Sequence, residues 1–376
     1  MHISTPHDSG NIRVLAADDP NDIRLEIVRD GEADHRQWFH FRVTGAKGVP
    51  LTLRLVNAHA CSYPKAWDGY RAVYSSDRET WLREPATSYE DGALVIQHTP
   101  SADVVWFAYF APYSLDRHDQ LLATCQQSDR VQLERLGATV DGLDLDMLRV
   151  GEPGEGKRVY WVIARQHPGE SMAEWWMEGF LARLLDPADG QARRLLEGAV
   201  LYVVPNMNPD GSRRGHLRTN AAGANLNREW HGPTREKSPE VFHVLHRMSE
   251  TGVDLCLDVH GDEELPYNFV SGAEGIPGWT DRLAELQRSF LQAYMDATPD
   301  FQVEYGYGVD APGEANLTMC TNQIAERFDC LAMTLEMPFK DSAITPDEEQ
   351  GWSPDRAMRL GEDVLLPMVR VLPHLR

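Results

Sequence analysis

Arg158-Val159-Tyr160-Trp161-Val162-Ile163-Ala164, followed after Arg165-Gln166 by His167-Pro168-Gly169-Glu170, is the stretch on which the reading of this chain turns. Seven mostly apolar residues bounded by a turn read as a buried strand. From Ser171 to Leu185 the apolar positions Met172, Trp175, Trp176, Gly179, Phe180 and Leu184 fall at helical spacing. The Gly/Pro turn therefore lies at the carboxyl end of a strand, where open α/β sheets place their ligands. His167 and Glu170 are both metal-ligand types, and three residues apart across a tight turn they can converge on one ion. The plainer alternative is that Glu170 caps the helix beginning near Ser171.

Working outward, Ala199 to Val204 is a continuous apolar run between Gly198 and Pro205, as a buried parallel strand should be. Asp254 to Val259 and Leu331 to Leu335 read as further strands. Ser238-Pro239-Glu240 offers a capping hydroxyl before a first-turn proline, with Val241, Val244, Leu245 and Met248 forming the apolar face behind it. Trp279, Leu283, Leu286, Phe290 and Tyr294 make another stripe, and Pro354 to Leu372 a closing helix. Asp129 to Leu136 also reads as helical, with Gly137 ending it. This alternation predicts an α/β fold, a mixed, largely parallel sheet with helices on both faces.

The first hundred residues are punctuated differently. Phe39 to Val43 and Leu51 to Val56 alternate, and the Gly45-Ala46-Lys47-Gly48 turn between them predicts a hairpin. Tyr70 to Tyr74, Ala93 to Thr99 and Val104 to Phe110 are further short strands. That spacing predicts a smaller antiparallel β-sandwich domain over 1–115, ahead of a second domain over 116–376.

A net charge of −22 over 376 residues argues against general nucleic-acid or anionic-membrane binding, which need a basic surface. The five cysteines are scattered and without CxxC spacing, so neither a disulfide framework nor a thiolate metal site is indicated. No apolar run approaches a membrane span. A reducing cytoplasm is the expected setting.

His260 gives His167 and Glu170 their meaning, because it too ends a strand and precedes a turn, Gly261-Asp262-Glu263-Glu264. Two histidines and a glutamate leave a fourth position on zinc open, the arrangement of a hydrolytic site rather than a structural one. HExxH is absent, so a general base must come from elsewhere. Glu336, in Thr334-Leu335-Glu336-Met337-Pro338, is the candidate: apolar surroundings would raise its pKa. In an otherwise acidic chain, Arg213, Arg214, Arg218, Arg228, Arg235 and Lys237 form a positive island after the turn-rich Pro205 to Gly211. Arg213, Arg214, Arg235 and Lys237 read as a solvated loop. Arg218 and Arg228 suit bidentate binding of carboxylate, with Asn227 adding neutral donors.

Together, His167-Pro168-Gly169-Glu170-Ser171, Asn208-Pro209-Asp210-Gly211, Asn225-Leu226-Asn227-Arg228, Asp258-Val259-His260-Gly261 and Thr334-Leu335-Glu336 resemble, in order, zinc metallocarboxypeptidases of the carboxypeptidase A type. The likeness is to the cytosolic carboxypeptidase branch, whose amino-terminal sandwich Trp38 to Phe41 and Phe110-Ala111-Pro112-Tyr113 also resemble. The resemblance implies that His167, Glu170 and His260 hold zinc and that Glu336 is the catalytic base. It implies that Arg218 stabilises the oxyanion, and that Asn227 and Arg228 grip the substrate's terminal carboxylate. Asn225 departs from the usual aspartate that orients the first histidine, and His216 from the usual asparagine. Tyr305 and Tyr307 lie where the family carries a mobile tyrosine.

The implied function is removal of C-terminal residues from peptides or proteins. Glutamate-removing relatives extend this to an expectation of acidic C-terminal residues. The alternative is a zinc amidohydrolase on N-acyl amino acids, of the succinylglutamate desuccinylase and aspartoacylase kind. The sandwich and the form of the first motif weigh against it. A non-catalytic binding protein is disfavoured by retention of the ligands, base and arginines.

Overall fold

The computed structural model describes all 376 residues, Met1–Arg376. The first 110 residues form ten strands: β1 (His2–Ser4), β2 (Arg13–Ala16), β3 (Ile23–Glu26), β4 (His40–Thr44), β5 (Leu51–Leu55), β6 (Val73–Ser75), β7 (Leu82–Arg83), β8 (Thr87–Glu90), β9 (Ala93–His98) and β10 (Val104–Ala108). They make two five-stranded sheets, ordered β1-β4-β10-β6-β7 and β2-β3-β5-β9-β8. Pairing is antiparallel except between β3 and β5.

The expected hairpin between β4 and β5 does not form, because the two strands belong to different sheets. Each carries an apolar face, Phe41 and Val43 on one and Leu51, Leu53 and Leu55 on the other, all buried. Crossing from sheet to sheet after Thr44 brings both faces into one core. β4 then pairs with β10 and β5 with β9.

Beyond this unit come α1 (Leu115–Cys125), β11 (Val131–Ala138), β12 (Asp144–Val150), β13 (Arg158–Ala164), α2 (Met172–Leu185), α3 (Gly190–Gly198), β14 (Ala199–Val204) and α4 (Pro209–Arg214). The chain continues through α5 (Pro239–Thr251), β15 (Leu255–Asp262), β16 (Phe269–Ser271), α6 (Asp281–Ala297), α7 (Cys320–Phe328), β17 (Leu331–Pro338), α8 (Pro354–Asp363) and α9 (Leu365–Val371). Its sheet has the order β11-β12-β14-β13-β15-β17-β16. The central strands β14, β13, β15 and β17 run parallel, and both edges are antiparallel.

The segment read as a helix from Asp129 is β11, an edge strand paired with β12. Its apolar residues are divided, Val131 packing on one core cluster and Leu136 on the other while Leu133 is exposed, so no clean alternation marks the strand and the short window resembled a helical stripe. The closing helix is two helices that meet at Val364. Ser238 does not cap its own helix; its hydroxyl accepts from the Thr234 amide instead, at 3.4 Å.

Strand alternation divides the core. Tyr160, Val162 and Ala164 of β13 belong with residues of α2, α3, α6, α8 and α9, whereas Trp161 and Ile163 belong with α5 and α7. Gly179 lets α2 and α8 cross closely, since a Cβ there would lie 2.0 Å from the Met358 carbonyl oxygen. The first core also runs unbroken into the sandwich. Tyr109 stacks on Phe339 with ring centroids 4.5 Å apart, and buried Arg83 donates to the carbonyls of Phe339 and Trp352 at 2.8 and 3.0 Å. The sandwich is therefore packed against the end of the sheet from which the candidate site rises.

Candidate functional site

Parallel pairing of β13, β15 and β17 brings their carboxyl ends together, and the candidate residues with them. His167 follows β13, and His260 and Glu336 are directly paired across β15 and β17. Glu170 reaches both histidines, its Oε1 lying 2.7 Å from His167 Nδ1 and its Oε2 2.7 Å from His260 Nδ1. Glu170 also accepts the Gly261 amide at 3.1 Å, so its carboxylate is not spent on capping α2. One ligand atom from each of His167, Glu170 and His260 lies within 4.8 Å of the others, and all three residues are buried.

The far ring nitrogens are held too. His167 Nε2 lies 3.0 Å from Asn225 Oδ1, and His260 Nε2 lies 3.0 Å from Asp258 Oδ2. Both outer atoms are acceptors, so each ring presents N–H outward and turns Nδ1 towards Glu170. That brings the two Nδ1 atoms to 3.2 Å, a close approach that favours a shared cation. Electrostatics agree: burial would lower the pKa of His260, yet Asp258 and Glu170 outweigh it and hold that pKa well above the ordinary value. Burial and the Arg218 charge hold His167 down at about 4. For Glu170, burial opposes ionisation, but the two histidines keep its carboxyl well below the usual range. Two imidazoles and an ionised carboxylate, each braced from behind, fit zinc.

The turn itself rests on a buried network. Arg165, fully buried with φ of +59°, donates to the Pro168 carbonyl at 3.0 Å and pairs with Glu174 at 2.6 Å. Glu174 also meets His118 Nδ1 at 2.6 Å and accepts from Asn206 at 3.1 Å. Gly169 admits the neighbouring loop, because a Cβ there would come within 2.9 Å of the Leu217 carbonyl oxygen.

Glu336 is 7% exposed, and one carboxylate oxygen, Oε2, has no hydrogen-bond partner. Burial, opposed by His260 but reinforced by Glu170, Asp262 and Glu263, pushes its pKa well above the usual carboxylate value. Arg218 is half-buried with its guanidinium 5.7 Å from the Tyr63 ring centroid, and Glu263, Glu170 and Glu336 all act on its charge. Asn227 is fixed through its carbonyl oxygen, which accepts the Cys320 amide at 2.8 Å, leaving its NH₂ group to donate elsewhere. Arg228 is exposed and donates at 2.7 Å to the backbone carbonyl oxygen of Asn227, a different atom from the side-chain oxygen held by Cys320. The remaining basic residues are exposed; Arg214 pairs with Asp141 and Lys237 with Glu229. Of the two tyrosines, Tyr307 reaches back to the site with its hydroxyl 2.5 Å from Asp262, whereas Tyr305 stacks on Tyr267.

Several contributors escaped the sequence reading. Asp258 was legible, since two residues before His260 on one strand means the same face. Gln166 ties the group together, donating to Asp258 at 2.6 Å and accepting from Trp230 at 2.8 Å. Tyr63 and Asp30 come from the sandwich, over a hundred residues from the motifs they serve, and no local signal marks them.

The zinc carboxypeptidase family model matches residues 119–353, and the cytosolic carboxypeptidase N-terminal domain model matches residues 3–110. A metallo-carboxypeptidase from Pseudomonas aeruginosa, solved in complex with (2-guanidinoethylmercapto)succinic acid, is 48% identical, with a TM-score of 0.97 and full coverage of both chains. The metallo-carboxypeptidase of Burkholderia cenocepacia is 44% identical, with a TM-score of 0.95 over 99% of this chain and 98% of its own. An uncharacterized protein of Zymomonas mobilis is 50% identical over 375 residues, covering 100% of this chain and 97% of its own. Human cytosolic carboxypeptidase 4 is 28% identical over 318 residues, 70% of this chain but 28% of the human protein's length.

Proposed function

The chain belongs to the zinc carboxypeptidase family and is a metallocarboxypeptidase, and from that premise we propose how its residues divide the hydrolysis of a C-terminal peptide bond. The observation that carries this division is the convergence of His167, Glu170 and His260 within 4.8 Å, with Glu336 paired beside His260. These three residues would hold zinc, which when bound supplies a Lewis acid that polarises a carbonyl and acidifies water.

Glu336 is the proton carrier. Its unpartnered oxygen and raised pKa suit it to take a proton from the attacking water and pass it to the leaving nitrogen. Arg218 sets a permanent positive charge where the oxyanion develops. The free NH₂ of Asn227 and the guanidinium of Arg228 meet the substrate's terminal carboxylate, the feature that restricts attack to chain ends. The substrate is accordingly a peptide or protein C-terminus.

We place the division between the sandwich and the catalytic unit near residue 115, where the last sandwich strand has ended and α1 begins. A cytoplasmic setting accords with five unpaired, buried cysteines. The amidohydrolase alternative finds no support in the amino-terminal match over residues 3–110. The test compares zinc-loaded protein on peptides with free and amidated C-termini and on N-acetyl and N-succinyl amino acids. Cleavage confined to free C-termini is expected; activity on the small acyl amino acids alone would sink the reading.

A further inference from the structure

The guanidinium of Arg218 makes no hydrogen bond and no ion pair; the residue is bonded through its backbone amide, to Asp30. Burial would lower its pKa, but Tyr63, Glu263, Glu170 and Glu336 outweigh it and keep the charge in place. What the guanidinium packs on is the Tyr63 ring, whose centroid lies 5.7 Å from Cζ. An arginine side chain is rich in rotamers, so a head group without bonded partners is held by such packing.

Tyr63 is itself firmly held. Its backbone amide donates to Gln37 Oε1 at 2.8 Å, and the Gln37 side chain donates back to the Tyr63 carbonyl at 3.1 Å. Gln37 is fully buried and also donates at 3.0 Å to the hydroxyl of Tyr109, the ring that stacks on Phe339. On one side Ser62 exchanges two bonds with Arg36, and on the other Pro64 opens a short helical turn ending in buried Trp67. The half-buried ring thus projects from a braced corner of the sandwich. Burial, then Glu263, Glu170 and Asp262, push its phenol pKa up against the opposing pull of Arg218. All three carboxylates belong to the catalytic unit, which puts the phenol over the site.

We propose that Tyr63, supplied by the sandwich, is the positioning residue of Arg218, its ring holding the guanidinium for the developing oxyanion while leaving the N–H donors free. The proposal rests on the role given to Arg218 above and adds how that group is kept in place. An ion pair with Glu263 or Glu336 would fix the guanidinium as well, but would spend its donors and offset its charge. An aromatic face attracts the cation through its quadrupole and takes none of the in-plane donors. A leucine would fill similar space without offering such a face. The catalytic centre is therefore composite, with the cation on the catalytic unit and its support on the sandwich.

The experiment measures kcat and KM on a peptide with a free C-terminus, for the full zinc-loaded chain and its Tyr63→Phe and Tyr63→Leu variants. Tyr63→Phe should keep kcat within about twofold, whereas Tyr63→Leu should lose about tenfold in kcat with KM little changed. In an Arg218→Ala background Tyr63→Leu should cost less than about twofold, because the group it positions is gone. The proposal is overturned by wild-type kcat in Tyr63→Leu, by Tyr63→Phe as impaired as Tyr63→Leu, or by a loss confined to KM. Equal losses with and without Arg218 overturn it too. An Arg218→Ala protein with wild-type kcat sinks the role given to Arg218, and this proposal with it. If the wild-type chain cleaves no peptide, the carboxypeptidase reading fails instead, and the Nε–Hε resonance of Arg218 still decides the contact. An upfield position kept in Tyr63→Phe and lost in Tyr63→Leu supports it, and a resonance that neither substitution moves refutes it.

Discussion

Asp30, in the amino-terminal sandwich, holds the backbone of Arg218 in the catalytic unit. Its carboxylate is fully buried and accepts three consecutive amides, those of Leu217 at 2.6 Å, Arg218 at 2.7 Å and Thr219 at 3.0 Å. A loop is an imprecise place for a group proposed to meet a developing charge, and three bonds to one carboxylate remove much of its freedom. The sandwich thus reaches the chemistry in two ways, through Asp30 beneath the Arg218 backbone and through Tyr63 facing its guanidinium.

Asp30→Ala should therefore destabilise the chain by about 3 kcal/mol, since three buried donors lose their acceptor. Asp30→Asn is the sharper variant, because it keeps the shape but presents an NH₂ group to donors. It should lower kcat about tenfold or more with zinc content unchanged. A folded Asp30→Asn protein with wild-type kcat would remove Asp30 from any positioning role.

Glu336→Gln should cut turnover by a factor of about 10³ or more, within the range ascribed to general acid–base catalysis and its accompanying electrostatics. The substituted amide cannot carry a proton between water and leaving group. Glu336 makes no hydrogen bond to the His167–Glu170–His260 cluster, so metal measured after dialysis should stay at one equivalent. Retained turnover would exclude Glu336 as the base, and lost metal would reassign it as a ligand.

His118 gives the fold a pH dependence of its own. Burial would lower its pKa, but Asp146 and Glu174 prevail and raise it to about 9. A histidine raised in the folded state stabilises fully below its unfolded value of about 6.5, and that contribution fades as pH climbs through 9. Thermal unfolding should therefore show Tm falling between pH 6.5 and 9.5, by an amount corresponding to no more than about 3 kcal/mol. His118→Phe should flatten that slope. An unchanged slope in the variant would assign the pH dependence to another group.

What the sequence made legible was whatever repeats locally. Buried strands β13, β14, β15 and β17 were readable because a parallel strand covered on both faces is apolar throughout. Strand-end His167, His260 and Glu336 followed from them, since parallel strands converge at one end. Failures came where partners are distant or a pattern is half-buried. β11 is an edge strand whose polar positions broke its alternation, and the link from β4 to β5 carried hairpin turn residues but served a change of sheet. Asp30 lies 187 residues from Leu217, and no periodicity marks such a contact.

Asn225 offers a test of how firmly the first histidine is held. Its Oδ1 lies 3.0 Å from His167 Nε2 and also accepts the Asn227 amide at 3.1 Å, so one oxygen fixes the histidine proposed as a zinc ligand and the start of the turn proposed to bind carboxylate. A carboxylate at this position would keep both acceptor roles and add negative charge behind the ring. That charge makes Nδ1 a better donor to metal, as partners of ligand histidines do generally. Asn225→Asp should therefore tighten zinc binding by about tenfold, read as the chelator concentration needed to strip the protein. Asn225→Ala should loosen it by a similar factor, because the imidazole then loses its orienting acceptor. Equal chelator sensitivity in all three proteins would mean that Glu170 and His260 alone set the affinity, and that Asn225 serves only the turn.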